Sequence, residues 1–172
     1  MSINTIASYT KALQSAFLID SAKRFDIKGR KYISTPIKYY FVDTGLRNAL
    51  LNFRQFEETH LMENIIFNEL KIRGYDVDVG VVEIYETNKK GSGQKKQLEI
   101  DFVANKAQER LYIQSALSMA DVEKASIELR PFLHVADSFR KIVLVEGKKP
   151  PQTTEQGFTI MGVIDFLLEK SL

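Results

Sequence analysis

Residues 59–85 set the narrowest limits on the fold. Leu61, Met62, Ile65, Ile66 and Leu70 recur at helical spacing, so residues 59–73 read as a helix with one apolar face. Gly74 follows, the residue type that most readily takes the left-handed turn ending a helix. Residues 75–85 are rich in valine and alternate in part, which is a strand pattern. A helix with one apolar side that runs straight into strands must lay that side on a sheet.

The flanking segments extend the α/β pattern. Ile6, Tyr9, Leu13 and Phe17 recur at helical spacing, with Ser2 or Asn4 as the cap. A strand over 17–25, a basic turn with Gly29 over 26–31 and a strand over 38–43 follow, which is the tail end of a winged-helix pattern. Residues 46–51 read as a short helix. Residues 87–96 read as a flexible basic loop, and 98–104 and 111–114 as two short strands around a turn at 105–109. Residues 120–135 form a helix that Pro131 should kink or break. A buried-type strand at 141–146, a short strand at 158–161 and a closing helix at 163–169 complete the reading. The expected architecture is α/β, a mixed sheet flanked by helices.

Composition excludes several functions. With no cysteine, disulfides and cysteine-bound zinc are ruled out, and the two histidines, His60 and His134, cannot build a histidine-rich metal cage. A net charge of +2 does not single out a nucleic-acid partner, although a local basic patch would suffice. No apolar run approaches the roughly 20 residues that span a bilayer. The N-terminus lacks a signal-peptide pattern, so cytoplasm is the expected location and no membrane partner is expected.

Three residues carry the chemistry. Glu63 lies at the edge of the apolar face of the 59–73 helix, Asp101 in the strand at 98–104 and Gln114 in the next strand. A helix followed by a hairpin brings such positions to one edge of a sheet. Glu99 and Asp101 share one strand face, which leaves Ile100, Phe102 and Ala104 for the core. Hydrolysis of a phosphodiester near neutral pH calls for a metal that polarises phosphate and activates water, and Mg²⁺ favours such hard oxygen ligands. Close acidic side chains also raise each other's pKa unless a cation compensates.

This order of residues resembles the core motif of the PD-(D/E)xK, restriction-endonuclease-like superfamily: a helical Glu, an Asp in a strand, and an acid-x-Lys triplet in the next strand. The intervals from Glu63 to Gly74 and from Asp101 to Gln114 are similar to those of archaeal Holliday-junction resolvases. By that match Gln114 stands at the second acid and Ala116 at the lysine. A closer resemblance covers nearly the whole chain. Residues 39–48 (YYFVDTGLRN), 61–64 (LMEN), 70–75 (LKIRGY) and 99–104 (EIDFVA) resemble the C-terminal domain of unknown function attached to prokaryotic AAA-type ATPases. That module follows an ATPase core and a winged helix, and typically reads YIQ at the second acid, as Tyr112-Ile113-Gln114 does here.

The resemblance implies a winged-helix remnant over 1–43 and a restriction-endonuclease-like domain over 44–172. It implies the ATPase core of the same full-length chain as a partner, and Glu63 and Asp101 as ligands if Mg²⁺ binds. Glutamine at 114 brings no charge; at about 4 Å and an effective dielectric near 20, a lost unit charge weakens attraction by about 4 kcal/mol. The motif lysine is absent as well, so no amine is expected beside the carboxylates, and Glu63, Asp101 and Gln114 read as a degenerate catalytic set.

Three functions stay open. The first is a noncatalytic accessory domain of a AAA-type ATPase making nucleic-acid or protein contacts. The second is a working metal-dependent nuclease with a lysine supplied from elsewhere, and an ammonium group beside the carboxylates would revive it. The third is an assembly module that dimerises or docks on the ATPase.

Other charged residues have bland readings beside these. Lys89, Lys90, Lys95 and Lys96 bracket Gly91-Ser92-Gly93 and read first as a solvated hairpin tip, second as a DNA contact. Lys28, Arg30 and Lys31 sit where a winged helix places its wing, which suits phosphate contacts. The glycine-containing loop lacks the spacing of a phosphate-binding P-loop, so no ATPase activity is expected here. Glu69 falls within the apolar helix face and needs a partner, with Arg47 or Arg73 expected.

Overall fold

The structure, a computed structural model, describes residues 2–54, 56–87 and 93–169. Helix α1 (Ile3–Ser15) leads into the hairpin β1 (Ile19–Asp26) and β2 (Lys31–Phe41), then helices α2 (Thr44–Leu50) and α3 (Glu58–Ile72). A meander of β3 (Asp76–Thr87), β4 (Gly93–Lys106) and β5 (Glu109–Ala116) follows. Helix α4 (Val122–Leu133), strands β6 (Arg140–Val145), β7 (Gln152–Thr153) and β8 (Thr159–Gly162), and helix α5 (Val163–Leu168) complete the chain.

Local signals explain where the helices begin and end. Ser2 Oγ accepts from the Thr5 amide at 3.2 Å, Asp43 caps α2 and Asp121 caps α4. Gly74 adopts φ +82° after α3, and the Tyr75 amide returns to the Leu70 carbonyl at 3.0 Å. Pro131 lies in the last turn of α4, which runs two residues further before ending at Leu133. The proline therefore marks the approach to the helix end and does not break it earlier.

The described strands form one mixed sheet in the order β2-β1-β3-β4-β5-β6-β8-β7. β1 pairs in parallel with β3, and β6 in parallel with both β5 and β8; the other neighbours are antiparallel. The hairpin expected as a winged-helix remnant thus shares a sheet with the residues after 44. β2 begins at Lys31, seven residues before the expected strand, and contains Pro36. An edge strand tolerates proline because its outward amides need no partner. At the 87–96 segment, Gly93 to Lys96 belong to β4, paired with β3, instead of to a loop.

Two apolar layers cover the sheet. On one face Met62, Ile66, Phe67 and Leu70 of α3 and Phe166 of α5 pack on Val79, Phe102, Ile113 and Leu144. On the other, Phe132 of α4 packs with Ile100, Val103, Tyr112 and Val143. Consecutive residues of β5 and β6 alternate between the layers, as strand geometry requires. The molecule is a mixed α/β fold with a large sheet flanked by helices. Among the described residues no helix is long and apolar enough to cross a membrane.

Candidate functional site

The site forms where β4 departs from regular pairing. β3 and β4 match Asp78 to Val103 and Gly80 to Ile100, so Asp101 and Phe102 together oppose Val79 alone. This bulge breaks the alternation. Ile100 and Val103 stay in the α4 layer, while Phe102 enters the α3 layer next to Asp101. The expectation that Ile100 and Phe102 share one core face is corrected by that one extra residue. Gly80 lies opposite the bulge, where an added Cβ would come within 2.8 Å of Val103 and 3.0 Å of Ile100. The β4–β5 ladder runs only as far as Phe102 and Ile113. Beyond it the Asp101 carboxylate takes the place of a backbone acceptor, and the Ser115 amide donates to its Oδ2 at 2.8 Å.

Helix α3 and strand β2 supply the rest. Asn64 of α3 clamps Phe41 of β2 twice, accepting from its amide at 2.9 Å and donating to its carbonyl at 2.7 Å. Tyr40 stacks on Phe67 with ring centroids 4.2 Å apart and donates its hydroxyl to Glu63 Oε1 at 2.7 Å. Lys38, two residues earlier and therefore on the same strand face, is carried to the same carboxylate. Its ammonium lies 3.0 Å from Glu63 Oε1, 2.8 Å from Glu99 Oε1 and 3.9 Å from Asp101 Oδ1. Arg24 of β1 grips the other oxygen of Glu99 at 2.8 Å.

The structure thus brings Glu63 and Asp101 to one ammonium, and it overturns the expectation of no amine beside them. Lys38 escaped sequence reasoning because it stands 25 residues before Glu63, in a strand with no motif of its own. The available signal was its alternation with Tyr40, which places a lysine on the buried side of a strand.

Burial and the Glu63 charge push the Asp101 carboxyl up to about 7, against the Ser115 amide and the Lys38 charge, which pull it down. Burial alone would lower Lys38. The Glu63 charge, the bond to Glu99 and the Asp101 charge outweigh it and hold the ammonium above its ordinary pKa. Burial and then Glu63 raise the Tyr40 hydroxyl far above the usual phenol range.

Gln114 touches this cluster at the Asp101 backbone amide but turns its side-chain nitrogen elsewhere, and Ala116 brings it no charge. Gln114 is buried and donates to Glu128 Oε2 of α4 at 2.8 Å, while its own oxygen accepts from the Asp101 amide at 3.4 Å. Ala116 packs in the α4 layer with Phe132 and Val145. Among the described residues no three carboxylates or imidazoles are arranged to hold a metal ion. Glu63 Oε1 is taken by both Lys38 and Tyr40, and the ammonium stands at the centre a cation would need. The residues as folded do not fit Mg²⁺. A groove of about 340 Å³, lined by Lys38, Tyr40, Arg47, His60, Glu63 and Asn64, opens the cluster to solvent.

The basic candidates divide. Lys95 pairs with Glu83 at 2.7 Å and Lys96 with Glu86 at 3.6 Å, so their charges are answered within the β3–β4 ribbon. Lys28 donates to the Glu83 carbonyl at 3.0 Å, and Lys28 and Arg30 line a cleft on the α4 side. Lys31 opens β2 as an exposed residue. Lys89 and Lys90 lie outside the described residues. Glu69 meets Arg73 at 2.7 Å, and Arg47 pairs with Glu57.

Comparison with known proteins adds sequence kinship without a function. Residues 1–57 match a family described as a domain of unknown function (DUF8612). An uncharacterized protein of Haemophilus influenzae is 38% identical over 166 residues, which is 96% of this chain and 37% of that protein. The chain therefore spans little more than a third of the length of the curated relative it matches. No solved structure matches it.

Proposed function

We propose that the chain is a noncatalytic accessory domain of a AAA-type ATPase, in which a restriction-endonuclease-like carboxylate site has become a structural ion cluster. It serves the ATPase by making protein or nucleic-acid contacts. The observation that carries this reading is the Lys38 ammonium, seated among Glu63, Glu99 and Asp101. It neutralises in place the charge that a divalent ion would neutralise, and Gln114, turned to Glu128, offers no third acid. Helix α1 supports the accessory role. None of its residues is buried, and Ile3, Ile6, Tyr9 and Leu13 stay exposed, as does Phe17 just beyond it. A row of large apolar side chains left open to water marks a contact surface.

Two measurements test the two halves. The purified chain, given Mg²⁺ or Mn²⁺, is expected to leave single-stranded, duplex and branched DNA intact. Co-expressed with the rest of the Haemophilus relative, it is expected to co-purify, and Tyr9→Asp with Leu13→Asp to abolish that. Loss of the second result, or absence of ATP hydrolysis by that remainder, would remove the ATPase role.

A second reading, an active nuclease, is favoured by one observation: an amine does lie 3.9 Å from Asp101 Oδ1. Metal-dependent cleavage abolished by both Asp101→Ala and Lys38→Ala would establish it over the first.

A further inference from the structure

A cleft lies on the α4 side of the sheet, away from the carboxylate cluster, and has a volume of about 680 Å³. That falls within the range of small-molecule sites, roughly 300–1,000 Å³. Its wall combines cationic and aromatic groups: Phe25, Lys28, Arg30, Arg110, His134 and Phe139. The Arg110 guanidinium lies near two rings, 5.5 Å from the Phe25 centroid and 5.6 Å from that of Phe139. The N–H donors of a guanidinium lie in its plane, at the edge of the group. One edge donor, Nε, is held by Asn105 Oδ1 at 2.7 Å.

The wall carries three cations, Lys28, Arg30 and Arg110, against two carboxylates, Glu109 and Asp137, a formal excess of one positive charge that favours an anion. Arg110, Arg30 and Lys28 form no ion pair among the described residues, and each of the two acids accepts a hydrogen bond from a neutral tyrosine, which leaves its charge in place. Glu109 accepts from Tyr75 at 2.8 Å, and Asp137 accepts from Tyr112 at 2.6 Å. Arg30 is also held at φ +51°, a left-handed conformation uncommon for a long side chain. Phe139 remains 40% exposed and offers part of a ring to a planar partner.

We propose that this cleft binds a nucleotide phosphate: the Arg110 edge and Arg30 take the phosphate oxygens, and Phe139 takes the base. Guanidinium groups match phosphate oxygens in pairs, and base-on-ring stacking adds affinity with little sequence preference. A free nucleotide and the phosphorylated end of a nucleic-acid strand share this chemistry. The site is independent of the carboxylate cluster and of the fate of its catalysis.

The test is calorimetric titration of the whole chain with inorganic phosphate, adenosine monophosphate, and a short oligothymidylate with and without a terminal phosphate. Adenosine monophosphate should bind more tightly than inorganic phosphate. Arg30→Ala and Phe139→Ala should each weaken it about tenfold. Phe139→Ala should leave inorganic phosphate binding unchanged. Both residues are exposed, so these variants keep the test valid even where Arg110→Gln costs the fold, which thermal melting would reveal. Oligonucleotide binding that requires the terminal phosphate identifies the strand end as ligand, and adenosine monophosphate binding alone identifies the free nucleotide. Adenosine monophosphate binding no tighter than inorganic phosphate, or indifferent to both substitutions, overturns the proposal.

Discussion

Lys38 of β2 and Glu63 of α3 meet at 3.0 Å, and their contact holds an edge strand to the helix that covers the middle of the sheet. The same ammonium faces Glu99 and Asp101, so one positive charge answers three negative ones, with Arg24 helping at Glu99.

Removing that ammonium should expose the repulsion it conceals. Lys38→Met keeps the apolar stem but leaves Glu63 and Glu99 without that cation and pushes the Asp101 carboxyl further up, so that Asp101 holds a proton at neutral pH. The cluster is partly buried, so the cost lies between that of exposed and interior pairs, about 2 kcal/mol at neutral pH. An added divalent ion can then occupy the vacated centre. Melting with and without Mg²⁺ should show the ion stabilising Lys38→Met and leaving the parent unchanged. An equal response of both proteins would show that the ammonium is not standing in for a cation.

Asp101 should make stability fall as pH rises. Its folded carboxyl titrates at about 7, against about 3.9 for an unfolded aspartate. Between those values the folded state holds the proton more firmly. Its contribution is therefore fully present below about pH 4 and is lost as pH rises through about 7, with a slope of up to about 1.4 kcal/mol per pH unit. Asp101→Asn is neutral throughout and keeps an oxygen for the Ser115 amide. Urea denaturation should find the variant gaining on the parent from pH about 5 to about 8. A constant difference across that interval would contradict a raised carboxyl.

What could be read from the sequence was local, and what could not was a matter of long-range register. Helix α3 announces itself by its apolar spacing and Gly74, and the positive φ at that glycine is why the position suits it. The partner of Glu69 was legible because Arg73 stands four residues on, across one helical turn. Lys38 was not, since its approach to Glu63 depends on the parallel pairing of β1 with β3, which no short pattern encodes. The bulge at Asp101 was hidden for a related reason. A period of two assumes that every residue has one partner, and Val79 has two residues opposite it. Gln114 was read by its place in a motif, whereas its side chain answers to Glu128 in a helix formed later in the chain.

Arg73 should act as the latch of helix α5. It binds Glu69 at 2.7 Å, donates to the Phe166 carbonyl at 2.7 Å and lies 4.7 Å from the Phe166 ring centroid. Arg73→Met keeps much of the packing but leaves Glu69 half-buried without its cation. A loss of about 2 kcal/mol is expected, from the ion pair and the charged hydrogen bond to the carbonyl. Hydrogen exchange should accelerate in 163–168 more than in 62–70. Uniform acceleration would place the effect on the whole fold and not on the latch.

Gln114→Glu restores the acid of the nuclease motif and should nevertheless harm the protein. The new carboxylate would stand at the Glu128 oxygen that Gln114 now serves at 2.8 Å, exchanging a hydrogen bond for repulsion. One of the two acids would then keep its proton. Stability should fall by about 2 kcal/mol near pH 8 and by less near pH 5, where that proton is readily held. Glu128→Gln in the same chain supplies an amide donor to the new acid, so the double variant should recover most of the loss, with a coupling of about 1–3 kcal/mol. Additive losses would mean that the two side chains do not meet. DNA cleavage gained by Gln114→Glu alone would show that the pair with Glu128 had been masking a metal ligand, and would move the balance toward the nuclease.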